Sequence, residues 1–170
     1  MVRPSWSWAQ SPREAEEFQS EAATLVGETL VTVLYIDLDY RADEFRGDAK
    51  GPRPIRSADE WEKPTWRHPS CDTVDMAVEL HTESGRKFTV AWESPGRIEG
   101  LGLRGMPAMG TAVSEGADLA VWDVSERSAW VNLIGQDVRT VTLHYEPWGE
   151  GAALWCRWIT ISPSHSRDRW

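Results

Sequence analysis

Two stretches decide the architecture: Leu25-Val26-Gly27-Glu28-Thr29-Leu30-Val31-Thr32-Val33 and Leu133-Ile134-Gly135-Gln136-Asp137-Val138-Arg139-Thr140-Val141. Each carries an apolar helix end, a glycine stop and an immediate strand start, the pattern of a helix closed by a left-handed residue. Leu25 aligns with Leu133, Gly27 with Gly135, Thr32 with Thr140 and Val33 with Val141. Short helix-to-strand connections recur for local geometric reasons, so coincidence and internal duplication both explain the match. Duplication is the working expectation. It predicts helix–strand–hairpin units over 11–93 and 124–170, joined by a Gly-rich connection over 94–123, in a single domain spanning 1–170.

Upstream of the first stretch, Ser11-Pro12-Arg13-Glu14 is a capping box with proline at the first helical position. Ala15, Phe18, Ala22 and Leu25 then share one helical face. Downstream, Thr29 to Tyr40 alternates as a strand, with Leu30, Leu34, Ile36 and Leu38 on one face and Val31, Val33, Tyr35, Asp37 and Asp39 on the other. Its first half is apolar on both sides, which predicts a central strand. Thr73 to Trp92 reads as a hairpin turning at Glu83-Ser84-Gly85, with Phe88, Val90 and Trp92 on the inner face. Short strands are expected near 98–103 and 119–122. Ser125 is expected to cap a second helix bearing Trp130, Leu133 and Ile134, and strands follow over 138–145 and 153–161.

Between the first strand and the hairpin lies a polar connection over 41–71, with a second capping box at Ser57-Ala58-Asp59-Glu60. A connection of this length is either a lid or recognition loop, or plain mobile chain. The expected fold class is α+β: a curved antiparallel sheet or half barrel of about six to eight strands packed on two helices. The second unit lacks a counterpart of the first unit's last strand, which predicts an exposed sheet edge open to homo-oligomer pairing.

Composition narrows the function classes. The chain of 170 residues carries a net charge of −9, so a backbone-tracking nucleic-acid binder is disfavoured. The seven Lys and Arg between Arg41 and Arg67 are interleaved with six acids and form no basic patch. No apolar run approaches the length of a membrane span, and the first residues lack the apolar core of a signal peptide. Cys71 and Cys156 are too few for a disulfide framework. Together these features predict a cytoplasmic protein with free thiols. Tryptophan is the outlier, with 11 residues against 3 Phe and 3 Tyr. Its ring suits either a core or a partly exposed binding surface.

Motif evidence for chemistry is thin. Gly100-Leu101-Gly102-Leu103-Arg104-Gly105 matches GxGxxG, but Pro107 and Gly110 break the helix a dinucleotide site requires. Asp37, Asp39, His68, Cys71 and His81 contain metal-ligand types without a paired spacing, so neither a metal nor a cofactor is expected. No nucleophile elbow is present. His81 and His144 fall on strands that could be neighbours and act as acid and base, or each is a plain outward-facing histidine. Arg157, between Trp155 and Trp158, is placed to anchor a ligand or to stack structurally.

The function expected from these features is a non-enzymatic acidic binding protein, of inhibitor or immunity type, that masks a basic partner. Its candidate contact residues for a protein partner or small hydrophobic ligand are Trp61, Trp66, Trp155, Trp158, Asp37 and Asp39. The alternative is a small cofactor-independent enzyme with a Trp-lined pocket, working through His81, His144 or Arg157.

Overall fold

The computed structural model describes residues 9–45, 47, 50–93, 100–149, 151 and 153–164. The α+β expectation holds at the level of class. Helix α1 (Pro12–Ala22) precedes strand β1 (Leu30–Leu38), helix α2 (Ala42–Phe45), strand β2 (Arg53–Pro54) and helix α3 (Ala58–Glu62). Strands β3 (Ala77–Thr82), β4 (Lys87–Glu93), β5 (Gly100–Arg104), β6 (Leu119–Asp123), β7 (Val138–Pro147) and β8 (Leu154–Pro163) follow. Six strands form one sheet in the order β2-β6-β1-β3-β4-β5, and β7 pairs with β8 in a separate hairpin. Among the described residues no barrel closes. The large sheet is mixed, because Arg53 and Pro54 run parallel to Ala120 and Val121.

α1 starts as its sequence dictates: Ser11 Oγ accepts from Glu14 N, and Ala15, Phe18 and Ala22 face inward. β1 is central, bonded to β3 on one side and β6 on the other. Its expected faces need one correction. A register shift between Leu30 and Thr32 moves Leu30 onto the side of Val33 and Tyr35, where all three enter the main core. Ile36 keeps the opposite face, in a second core with Ala77, Ala91, Val113 and Leu119. The β3–β4 hairpin turns at Glu83–Gly85 as expected, with Gly85 at φ 84°. Trp92, expected inward, is exposed.

The second helix expected after Ser125 is absent; residues 125–136 form a run of overlapping turns. Ser125 is drawn elsewhere: its Oγ accepts from Val33 N at 3.0 Å and donates to Asp123 Oδ1 at 2.6 Å. It ties β6 to β1 instead of capping a helix. The 41–71 connection is anchored in the core through several of its described residues. Ile55 and Trp66 are core residues, and Glu60, instead of closing a capping box, is buried against Arg53.

The two stretches that open the sequence argument meet in space. Thr29 and Asp137 form an antiparallel bridge. Leu30 N donates to Gln136 O at 3.2 Å and Val138 N to Glu28 O at 2.9 Å. Gly27 N donates to Val138 O at 2.8 Å and Gly135 N to Leu30 O at 2.7 Å. Each bond maps onto its partner under the sequence alignment, so the contact has local twofold symmetry. Beyond it the copies diverge: β1 continues into the large sheet and β7 into the hairpin.

Candidate functional site

Five aromatic rings pack edge to face on one side of β1 and β6. Tyr35 meets Trp66 at 5.2 Å and Trp130 at 6.3 Å between ring centroids. Trp122 meets Trp61 at 5.1 Å and Trp66 at 5.8 Å. Such pairs contribute about 0.5–1.5 kcal/mol each beyond the area they bury, so the cluster is first a structural pillar. Its one polar ridge is Tyr35, whose hydroxyl accepts from Trp130 Nε1 at 2.7 Å and donates to Asp72 Oδ2 at 2.9 Å. Burial, with the Asp72 carboxylate alongside, raises the Tyr35 hydroxyl well above its usual value, so it stays a proton donor.

Arg127 lies over Trp66, with its guanidinium carbon 5.3 Å from the ring centroid. Its Nε is buried and has no hydrogen-bond partner among the described residues. Three other described arginines that are at least partly covered have carboxylate partners. Arg53 pairs with Asp39 and Glu60, Arg104 with Glu93 and Glu21, and Arg41 with Glu44 and Asp59. Arg127 has no such carboxylate among the described residues. It forms the wall between two clefts. One, of about 580 Å³, is lined by Val31, Thr32, Trp61, Asp123, Ser125 and Glu126 besides Arg127. The other, of about 460 Å³, holds His68, Ser70, Cys71, Asp72, Ser128 and the Tyr35 ridge. Across that ridge a smaller apolar cleft of about 260 Å³ is lined by Val78, Val90, Trp92, Leu101 and Trp130 among others.

The residues picked from sequence scatter. Trp61 lines the first cleft, whereas Trp66 is 0% exposed and cannot meet a partner from there. Asp37 and Asp39, expected to contact a partner, are engaged by the chain's own groups. Asp37 is 1% exposed and accepts from Thr65 Oγ1 at 2.6 Å and Asp75 N at 3.2 Å; burial raises its carboxyl despite those bonds. Asp39 is taken up by Arg53 at 2.7 Å. His81 lies 2.5 Å from Glu79 in the large sheet. His144 stacks on Trp158 at 4.9 Å in the β7–β8 hairpin, so the two histidines do not pair. Arg157 bonds Glu146 at 3.2 Å on that hairpin, and Trp155 packs edge-on against Trp148. None of His81, His144 or Arg157 lines the clefts above.

The GxGxxG match has a packing explanation. The Glu93 side chain crosses over Gly102 to reach Arg104, and a Cβ at Gly102 would collide with that carboxylate. Gly100 lets β8 approach, since its Cβ would lie 3.3 Å from Cys156 N. Glu93 is 1% exposed and Arg104 2%, and the Arg104 guanidinium also sits 3.5 Å above the Phe18 ring of α1. This pair locks β4, β5 and α1 together. Burial pushes the Glu93 carboxyl up to about 7, against the pull of Arg104.

Sequence reasoning missed Arg127, Tyr35, Asp72 and Trp130 as a group. Tyr35 and Trp130 were visible only as core periodicity, and nothing local marks Arg127. Among the described residues no cluster of three or more His, Cys, Asp or Glu could hold a metal, and no helix is long and apolar enough to cross a membrane. Both cysteines are free; Cys71 is exposed, and burial pushes the Cys156 thiol up to about 12. Compared with known proteins, the chain matches no family model, no curated protein and no solved structure.

Proposed function

We propose that the chain is a non-enzymatic binding protein that masks a basic protein partner, in the manner of an inhibitor or immunity protein. The observation that carries this is the 580 Å³ cleft with Asp123 and Glu126 beside Val31 and the Trp61 wall. Two carboxylates stand there against one guanidinium, and exposed Val31 and the indole offer apolar cover. A lysine or arginine of the partner can lay its stem along such a wall and its charge between the acids. The net charge of −9 steers a basic partner toward the surface. The enzyme alternative draws less support, because its proposed acid, base and anchor are spent on Glu79, Thr160 and Glu146 on separate surfaces.

The test is a titration of the chain with a Lys/Arg-rich peptide and with an acidic peptide of equal length. Binding of the basic peptide alone, weakened about tenfold or more by Glu126→Lys and by raised salt, is the expected result. Equal binding of both peptides, or indifference to the substitution, contradicts it.

Three subsidiary readings accompany this one. The compartment we propose is the cytoplasm, which keeps both thiols reduced; oxidised Cys71 in protein isolated from cells would argue otherwise. A sheet edge left unpaired among the described strands is proposed to pair with a second copy, which a concentration-dependent sedimentation experiment tests. The twofold exchange about Thr29 and Asp137 supports a duplicated origin for the two stretches. If the environments are equivalent, exchanging the two residues (T29D with D137T) keeps their side-chain bond and changes stability by less than about 0.5 kcal/mol; a larger loss on chemical denaturation counts against it.

A further inference from the structure

Arg56, Arg67, Arg127 and Arg139 have no carboxylate partner among the described residues, and of these four Arg127 is the one drawn in from the surface. In a chain with nine more acids than bases, the guanidinium stays half-buried on Trp66 while no described carboxylate reaches it. A guanidinium binds a carboxylate best through a planar pair of hydrogen bonds, and the ring beneath it fixes that plane. The next two residues add donors: the backbone N–H groups of Ser128 and Ala129 have no partner among the described residues. Both residues line the 460 Å³ cleft, as does Ser70. The walls of that cleft thus carry a guanidinium, two backbone amides without a partner among the described residues, and serine side chains.

Asp72 sets the second requirement. It faces the same cleft, accepts from the Tyr35 hydroxyl and makes no salt bridge with Arg127. A simple anion such as phosphate would be repelled by it. A ligand carrying a donor next to its carboxylate satisfies both groups at once. The third requirement comes from the far side of the ridge. Asp72 and Tyr35 also line the 260 Å³ cleft, whose remaining walls are apolar, with Val78, Val90, Leu101 and half-exposed Trp92.

We propose that these two clefts form one binding site for an α-amino carboxylate with an apolar side chain, either a free amino acid or the C-terminal residue of a peptide. The carboxylate lies on Arg127 and the 128–129 amides, its amino or amide N–H faces Asp72, and the side chain crosses the ridge to Trp92. The site does not rest on the basic-partner reading: Glu126→Lys is expected to leave it intact.

Calorimetric titration with leucine, Gly-Gly-Leu, Gly-Gly-Leu amide and Gly-Gly-Lys tests the assignment. Saturable binding of leucine or Gly-Gly-Leu is expected, with a loss of about tenfold or more for the amide, for the lysine peptide and in Arg127→Met. Asp72→Asn is expected to weaken leucine more than N-acetyl-leucine. Tighter binding of leucine than of the peptide identifies a free amino acid as the ligand, and the reverse identifies a chain terminus. Arg127→Lys, which keeps a charge over Trp66 but loses the planar fork, serves if Arg127→Met does not melt like the parent. The proposal is overturned if neither free acid binds at millimolar concentration, if the amide binds equally, if both Arg127 variants retain affinity, or if phosphate or guanosine monophosphate binds where leucine does not.

Discussion

Arg104 and Arg127 both rest on aromatic rings, yet they sit in opposite circumstances. Arg104 lies above Phe18, fully enclosed, with Glu93 and Glu21 as partners. Arg127 lies above Trp66, reachable from two clefts, with no described carboxylate to meet it. A buried charge without a partner is costly enough that folds avoid it. Arg104 therefore has its acids built in, while Arg127 can wait for one only because solvent reaches it. The first arginine is part of how the chain folds, and the second is available for what it binds.

The comparison predicts an ordered set of effects. Arg104→Met should lower stability by about 3–5 kcal/mol in chemical denaturation at pH 8, where Glu93 is largely ionised beside Arg104 and would be left buried and unpaired. A loss under about 1 kcal/mol would show that the pair is not the lock described. Next is the pH response of Glu93, whose folded value of about 7 lies above its ordinary 4.5. The folded state therefore holds a proton that the unfolded state has released. This stabilisation is fully present below 4.5 and is lost as pH rises through 7, by about 3 kcal/mol in all. Glu93→Gln should flatten that slope between pH 4.5 and 8. An unchanged slope would assign it to another group. Gly102→Ala should cost about 1–3 kcal/mol through overpacking against Glu93, and should cost less when measured in a Glu93→Ala background, where the clash is gone. Smallest is Arg127→Met, expected to change stability by less than about 1 kcal/mol, the order of its contact with Trp66.

The same contrast marks what could be read from the chain. α1, β1 and the β3–β4 hairpin were legible because their signals are local: a cap, a period and a turn glycine. The face of Leu30 was not, since one irregular residue between Leu30 and Thr32 reverses the alternation. Ser125 looked like a helix cap because its sequence neighbours fit one, but the competing partner, Val33 N, is 92 residues away. The roles of Asp37 and Asp39 were hidden for a similar reason: Thr65 and Arg53, which satisfy them, come from the 41–71 connection. The candidate site was the least legible part. Tyr35, Asp72, Trp130 and Arg127 come from three chain segments, and an arginine that lacks a partner has no local sequence mark.

Side-chain NMR of the arginine Nε–H groups during a Gly-Gly-Leu titration puts the contrast to the most direct test. The account predicts that the Arg127 resonance shifts saturably and narrows while the Arg104 resonance stays in place. An Arg127 resonance that does not move, or that moves no more than Arg104, would contradict it.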